Sequence, residues 1–184
     1  SDLGYVSIVK AATLDERTFL KFKSNREYRE ILEHVNRDLG ARYLEVIKSR
    51  GAVPDKLLEF CQNDNCKPFR YTYKGIGRVS PSNLRYAKIA LDLQTLFGSL
   101  SDLSISEIGV GYGGQLHAIF SVSDPARYTL FDLPDVTKLA SLYYSYCNLE
   151  DRKLVIGELE RSQEVFDLVI SNYAYSELDR EVQE

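Results

Sequence analysis

Four glycines in one short segment are the feature of this sequence that points most clearly to chemistry. Residues 105–116 read I-S-E-I-G-V-G-Y-G-G-Q-L, and the glycines are Gly109, Gly111, Gly113 and Gly114. An apolar run precedes them and an apolar pattern resumes after them, which is typical of a strand, a tight turn and a helix start. Glycines at this spacing let a ligand lie against bare main chain. The segment therefore predicts a ligand-binding turn.

The elements around this turn alternate between strands and helices. Strands are predicted at residues 103–108, 128–131, 154–156 and 166–171, and helices begin at Pro81, after the glycines and at Pro134. Strands separated by helices of this length predict βαβ units, so we expect an α/β fold with a parallel sheet.

Polar side chains follow these strands at the edge of the sheet where ligands bind in such folds. Asp132 ends the second predicted strand, 23 residues after Gly109, and Asn172 follows the fourth. That spacing fits an acidic residue that accepts hydrogen bonds from ribose hydroxyls. The alternative is that Asp132 caps the helix that begins at Pro134.

The glycine pattern alone fits two classes of cofactor. Gly109, Gly111 and Gly114 satisfy the dinucleotide fingerprint G-x-G-x-x-G, which is weak evidence by itself. Glu107 and Gly113 extend it to E-x-G-x-G-x-G. A carboxylate near the turn suits a cofactor that carries an ammonium and a sulfonium, whereas it has the wrong sign for a pyrophosphate. That argument requires Glu107 to face the turn.

The extended pattern resembles the first motif of class I S-adenosylmethionine-dependent methyltransferases. Together with S-P-S-N-L-R-Y (80–86), F-D-L-P (131–134) and V-I-S-N-Y-A-Y-S-E-L (169–178), it resembles the family of predicted sugar O-methyltransferases. The resemblance covers residues 80–184. It implies a Rossmann-like sheet of seven strands, of which this chain supplies the first four, with the remainder beyond Glu184.

The resemblance also implies a cofactor, a reaction and a site. The cofactor is S-adenosylmethionine, and the acceptor is a hydroxyl of a sugar or glycosylated metabolite. The expected cofactor-binding residues are Glu107, Gly109, Gly111, Gly113, Asp132, Leu133 and Asn172. Glu177 is the candidate general base, although it also suits the first turn of a helix, with Ser176 and Asp179 as a capping box. A divalent metal that acidifies the hydroxyl is left open, and no residue is assigned to one.

Two other functions stay open at this point. The G-x-G-x-x-G match allows a nicotinamide-dependent oxidoreductase or epimerase. A methyltransferase-like module that binds its ligand without turnover is the third hypothesis. His117 and His34 are both weaker candidates for a base, because a lone His is more often a packing or surface residue.

The composition limits the kinds of partner that the chain is expected to bind. The net charge is -4, no long basic run occurs and no apolar stretch approaches the roughly 20 residues that span a bilayer, so neither nucleic acid nor membrane binding is expected. Cys61, Cys66 and Cys147 are too few for a structural zinc site without further ligands, and they favour a reduced, cytoplasmic setting. Homo-oligomer formation is left open.

The N-terminal part predicts a helical accessory region. Residues 14–49 show a helical apolar period that predicts one or two amphipathic helices, and 52–79 is rich in turn residues with a short helix near 56–61. We therefore divide the chain into an accessory region, 1–79, and a Rossmann-like cofactor domain, 80–184. Ser80 is expected to cap the helix at Pro81, and Arg85 to be solvated. The absence of Met and the helix-like ending D-R-E-V-Q-E suggest a piece of a longer protein.

Overall fold

A four-stranded parallel sheet forms the centre of the computed structural model, which describes residues 2–149, 154–157, 164–178 and 180; of residues 2–5 and 177 it describes the main chain alone. The strands are β3 (Ser104–Ile108), β4 (Arg127–Phe131), β5 (Leu154–Ile156) and β6 (Leu168–Ser171), in the order β5-β4-β3-β6. All three pairings are parallel. The predicted α/β class and the four predicted strands are confirmed.

Three helices connect or flank these strands. They are α6 (Pro81–Phe97), α7 (Gly114–Phe120) and α8 (Pro134–Tyr146). Gly98 ends α6 with a positive φ of 74°, as a glycine after a helix commonly does. Ser80 precedes α6 as expected, but its side chain makes no capping bond. Its hydroxyl instead donates to Glu33 at 3.4 Å.

The N-terminal region is more broken than its apolar period predicts. It contains α1 (Asp2–Leu14), α2 (Glu16–Phe19), a 3₁₀ turn (Phe22–Ser24), α3 (Arg26–Ile31), α4 (Arg37–Ser49) and α5 (Asp55–Gln62). The prediction of one or two helices over 14–49 is wrong. Asp15, Asn25 and Asn36 each accept a hydrogen bond from a main-chain N–H three residues on, so each starts a new helix.

A small hairpin joins the two parts of the chain. Its strands are β1 (Tyr71–Tyr73) and β2 (Gly77–Val79), which pair antiparallel.

One continuous apolar core includes residues from both parts. Tyr28 and Leu57 from the N-terminal region and Leu84, Ile105 and Tyr128 from the remainder are all fully buried. Helix α1 packs on α8, and α4 packs on α6. The N-terminal helices thus lie directly against the elements that flank the sheet. Among the described residues, no helix combines the length and apolar character that crossing a bilayer requires.

A candidate ligand site at the glycine turn

The glycine turn lies where the strand order reverses. Strand β3 has β4 on one side and β6 on the other, and the chain reaches β6 only after β4 and β5. In open α/β sheets, ligands bind outside the carboxyl ends of the strands at this kind of switch point. The turn that follows Ile108 therefore occupies the position where a ligand is expected.

Positive φ angles at three glycines give the turn its shape. The φ angles are 78° at Gly109, 54° at Gly111 and 85° at Gly113, a region that other residues seldom adopt. The amide of Gly109 donates to the carbonyl of Phe131 at 2.9 Å, which ties the turn to the end of β4. These angles explain why glycine recurs at every second position.

Asp132 faces the turn. Its Oδ2 accepts a hydrogen bond from the amide of Gly111 at 3.3 Å, and its Oδ1 accepts one from the amide of Leu133 at 2.7 Å. Burial raises the pKa of the Asp132 carboxyl, and the bonds from these amides counteract that shift. Helix α8 receives no capping bond from a side chain, so the capping alternative for Asp132 is not seen. The side chain of Leu133 next to it is 56% exposed.

Glu107 is buried inside the sheet and its side chain is held by a neighbouring strand. It is only 1% exposed, and its Oε2 accepts a hydrogen bond from the hydroxyl of Tyr128 at 2.9 Å. Burial raises the pKa of Glu107 to about 8; the Tyr128 hydrogen bond lowers it, and the nearby charge of Asp132 raises it further. The carboxyl is therefore mostly protonated at neutral pH, and the charge argument built on Glu107 does not hold.

The segment after β6 packs against the turn. Ser171 donates its hydroxyl to the carbonyl of Ile108 at 3.0 Å and accepts the amide of Tyr175 at 2.9 Å. Tyr173 has a φ of 83° and is 70% exposed. Ala174 begins a 3₁₀ turn (Ala174–Glu177) and its methyl group lies on Gly109. The S-N-Y-A-Y segment thus forms one wall of the switch point.

Asn172 has a polar group without a partner at this wall. Its Nδ2 is buried and makes no hydrogen bond with any part of the chain that the structure describes. A buried donor left unpaired costs about 1–3 kcal/mol. A ligand oxygen at the switch point would remove that cost.

Of the residues expected to act as a base, none is seen to reach the turn. The side chain of Glu177 and all of Asp179 lie outside the described residues, so the prediction for Glu177 stays a prediction. The hydroxyl of Ser176 donates to the carbonyl of Tyr173 at 2.7 Å and caps no helix. His34 is exposed, and its Nδ1 lies 2.9 Å from the carbonyl of Ile31.

His117 is a packing residue in this structure. Its ring lies edge-on to Phe60 at a centroid distance of 5.0 Å, and burial lowers its pKa to about 4. It lines a cavity of about 640 Å³ between α5 and the C-terminal ends of α7 and α8. Since both helices start at the glycine turn's edge of the sheet, this cavity lies toward the opposite edge.

Three features of the site were not predicted from the sequence. Leu32, just after α3, packs on Gly111, where an added Cβ would lie 3.3 Å from its Cδ1. Arg85 is buried beside the ring of Tyr86, at 4.8 Å from the centroid, and is not solvated as expected. Tyr112 points into the core. A large aromatic residue between two glycines was the one available signal, because such a side chain can anchor a turn whose glycines have none.

The groups that could bind a metal ion are the His, Cys, Asp and Glu side chains. No group of three or more His, Cys, Asp or Glu residues that could hold a metal ion occurs among the described residues. Cys61 and Cys66 are buried and Cys147 is partly buried, and all three are free thiols.

The fold and the site together define an α/β protein with a Rossmann-like strand order and a glycine turn at its switch point. No protein-family model matches the chain, and no curated protein matches it. The predicted membership of the sugar O-methyltransferase family is therefore supported by neither comparison.

The chain is similar over part of its length to solved structures of methyltransferases. A protein from Methanococcus maripaludis proposed to be an S-adenosyl-L-methionine-dependent methyltransferase is 23% identical, over 52% of this chain and 45% of the other, with a TM-score of 0.46. A proposed sarcosine dimethylglycine methyltransferase from Galdieria sulphuraria is 16% identical, over 75% and 49%, with a TM-score of 0.45. Coclaurine N-methyltransferase, solved with N-methylheliamine and SAH, is 12% identical, over 90% and 50%, with a TM-score of 0.40.

This chain spans about half the length of each of these structures. Likeness at this level concerns the fold alone, so any function has to be argued from the site.

Proposed function

We propose that the chain forms the cofactor-binding part of an S-adenosylmethionine-dependent methyltransferase. One observation carries the proposal: Asp132 binds the glycine turn after β3, and Asn172, whose side-chain nitrogen has no partner among the described residues, follows the neighbouring strand β6. Asp132 offers acceptor oxygens suited to ribose hydroxyls, and Asn172 offers a donor suited to a ligand oxygen. The exposed side chain of Leu133 is an apolar surface on which an adenine ring can pack.

The start of α7 favours this cofactor over a dinucleotide. A pyrophosphate is bound by the free N–H groups at a helix N-terminus. Here Gly113, Gly114 and Gln115 are buried, and a Cβ on Gly114 would lie 2.5 Å from the ring of Tyr86. Because these residues are buried and Tyr86 lies against Gly114, we infer that the start of α7 is poorly placed to bind a phosphate group. S-adenosylmethionine has no pyrophosphate and needs no phosphate site there.

When bound, S-adenosylmethionine supplies an activated methyl group. The chain's own contribution is to fix the ligand at the turn, to exclude water with the wall formed by residues 172–175, and to orient an acceptor there. The acceptor that we propose is a hydroxyl of a sugar or glycosylated metabolite. The support for this acceptor is the resemblance of the S-N-Y-A-Y-S-E-L segment to the family of predicted sugar O-methyltransferases. The first five residues of that segment form the wall. Glu177 remains our candidate for the base that removes the hydroxyl proton.

Titration calorimetry on the full-length protein tests the cofactor. We expect S-adenosylhomocysteine to bind with one site per chain and NADH not to bind. Binding of NADH in its place would support a nicotinamide-dependent oxidoreductase or epimerase and overturn the proposal.

Transfer of a labelled methyl group from S-adenosylmethionine to a panel of acceptors tests the reaction. We expect label on sugars and glycosides rather than on amines. Label on amines would overturn the acceptor class alone. Cofactor binding without transfer to any acceptor would indicate a binding module in place of an enzyme.

A further inference from the structure

Tyr112 anchors the glycine turn to the core. Between Gly109 and Gly114 the turn contains only two residues with side chains, Val110 and Tyr112. Both are buried, and Tyr112 is 1% exposed. Since glycines leave the main chain free to adopt many conformations, these two side chains have to select one. Whatever holds Tyr112 therefore helps to set the positions of the turn's amide groups.

The ring of Tyr112 lies in an aromatic cluster built from distant parts of the chain. It packs edge-on to Tyr143 of α8 at a centroid distance of 4.9 Å, to Tyr86 of α6 at 5.9 Å and to Phe22 at 6.0 Å. Edge-on pairs of this kind stabilise the fold beyond the effect of the area that they bury.

A buried cation completes this cluster. The side chain of Lys23 is 1% exposed, and its Nζ lies 3.7 Å from the ring centroid of Tyr112 and 4.1 Å from that of Tyr143. The same Nζ donates a hydrogen bond to the hydroxyl of Tyr143 at 3.1 Å. Burial lowers the pKa of Lys23, and the nearby carboxyl of Glu33 offsets only part of that shift.

The main chain of Lys23 is also fixed. Its amide donates to the carbonyl of Cys66 at 3.3 Å. The ammonium therefore has a defined position on the face of the Tyr112 ring, where the negative π-system attracts a cation. An uncharged residue here would leave the two rings without that attraction.

We propose that Lys23 is a positioning residue for the glycine turn, acting through the ring of Tyr112. The inference rests on the proposed function, because the turn matters only if it holds the cofactor. It makes the N-terminal region part of the cofactor site, although Lys23 precedes the turn by more than eighty residues. The side chain touches no ligand; it selects the conformation in which the turn's amides and Asp132 meet.

Two variants of the full-length protein separate positioning from general stability. Lys23→Met keeps the unbranched stem and removes the charge. Lys21→Met removes an exposed lysine from the same segment and is the matched control. We expect Lys23→Met to weaken S-adenosylhomocysteine binding about five- to ten-fold by calorimetry, and Lys21→Met to leave it unchanged.

Hydrogen exchange gives a second readout that needs no ligand. We expect Lys23→Met to speed amide exchange in peptides covering residues 109–114, and to leave the β1–β2 hairpin at the wild-type rate. Equal acceleration at residues 109–114 and in the hairpin would mean that Lys23 stabilises the whole fold without a particular effect on the turn. That result overturns the proposal. Unchanged exchange at the turn overturns it too. If the wild type fails to bind S-adenosylhomocysteine, the proposed function is wrong, and the exchange result still decides the role of Lys23.

Tyr143→Phe keeps the proposal testable if Lys23→Met does not fold. This variant retains both rings and removes only the hydroxyl that accepts from Lys23. We expect a smaller acceleration at residues 109–114 and a smaller loss of affinity, about two- to three-fold. Wild-type behaviour of a folded Tyr143→Phe in both measurements would contradict the part of the proposal in which the Tyr143 hydroxyl holds the Lys23 ammonium against the Tyr112 ring.

Discussion

The methyl group of Ala174 fills the space beside Gly109 that a side chain there would need. A Cβ built on Gly109 overlaps the Cβ of Ala174. The contact joins the turn after β3 to the segment after β6. Any side chain at Gly109 would force them apart.

Gly109→Ala should therefore cost more stability than the same change at a glycine with a similar angle and free space. Gly98→Ala is the matched control, because the φ of Gly98 is 74° against 78° at Gly109, and nothing lies within 4 Å of an added Cβ. We expect Gly109→Ala to lower the free energy of unfolding by about 3 kcal/mol, and Gly98→Ala, where only the backbone conformation is unfavourable, to lower it by less. Urea denaturation measures both.

The double variant Gly109→Ala with Ala174→Gly isolates the steric part. Removing the methyl of Ala174 gives the new Cβ room, so we expect a cost close to that of Gly98→Ala. Equal losses in Gly109→Ala and in the double variant would show that the overlap is not what destabilises the protein.

Asp132→Asn should weaken S-adenosylhomocysteine binding by about ten- to a hundred-fold, because a neutral amide is a poorer acceptor for two ribose hydroxyls than a carboxylate. Asp132→Ala should weaken it further. Asp135→Asn, at the start of α8, removes a carboxylate from the same edge of the sheet and serves as the control. Equal affinities of Asp132→Asn and Asp135→Asn by calorimetry would count against a ribose role.

Glu107→Gln should change how stability depends on pH. In the unfolded chain the carboxyl titrates near its ordinary pKa of 4.5, whereas burial raises the pKa to about 8 in the fold. Between these values the folded state holds the extra proton, so the free energy of unfolding falls as pH rises, by up to about 1.4 kcal/mol per pH unit. The amide in the variant cannot titrate, so Glu107→Gln should gain stability relative to the wild type between about pH 5 and pH 8.

Denaturation curves at several pH values check this, with the exposed Glu59→Gln as the control. Stabilities of wild type and Glu107→Gln that change in parallel over this interval would mean that Glu107 is ionised in the fold.

The cysteines should resist alkylation until the protein unfolds. Burial raises the pKa of Cys61 and of Cys66 to about 12, and it also raises that of Cys147. Only the thiolate reacts, so at neutral pH Cys61 and Cys66 should react roughly a thousand-fold more slowly than an exposed thiol. Mass spectrometry after iodoacetamide treatment, with and without denaturant, measures this. Rapid labelling of Cys66 in the native protein would contradict its burial.

The part of the fold that could be predicted from the sequence is the part that local patterns encode. The β3 strand, the turn at Gly109 and the start of α8 at Pro134 each have their own signal in adjacent residues. The breaks in the N-terminal helices also had local signals, in Asn25 and Asn36, but the apolar period across them indicated longer helices. The capping residues and the apolar period gave different predictions there, and the structure follows the capping residues.

The part of the site that could not be predicted depends on contacts between distant residues. Nothing near Glu107 in sequence indicates that Tyr128 will hold it as a buried, protonated group. Lys23 looks like one more surface lysine in the sequence, until α8 and the turn bring two tyrosine rings around it. Arg85, expected in solvent, is buried for the same reason.

The contact of Leu32 with Gly111 has a consequence for the time course of binding. A ligand that packs against Gly111 on the side where a Cβ would lie has to move the side chain of Leu32 aside, and Leu32 follows α3 directly. We therefore expect the rates of ligand entry and release to follow how often this short helix opens, while the affinity follows the contacts at the turn. Residence time and affinity would then vary independently among variants of this protein.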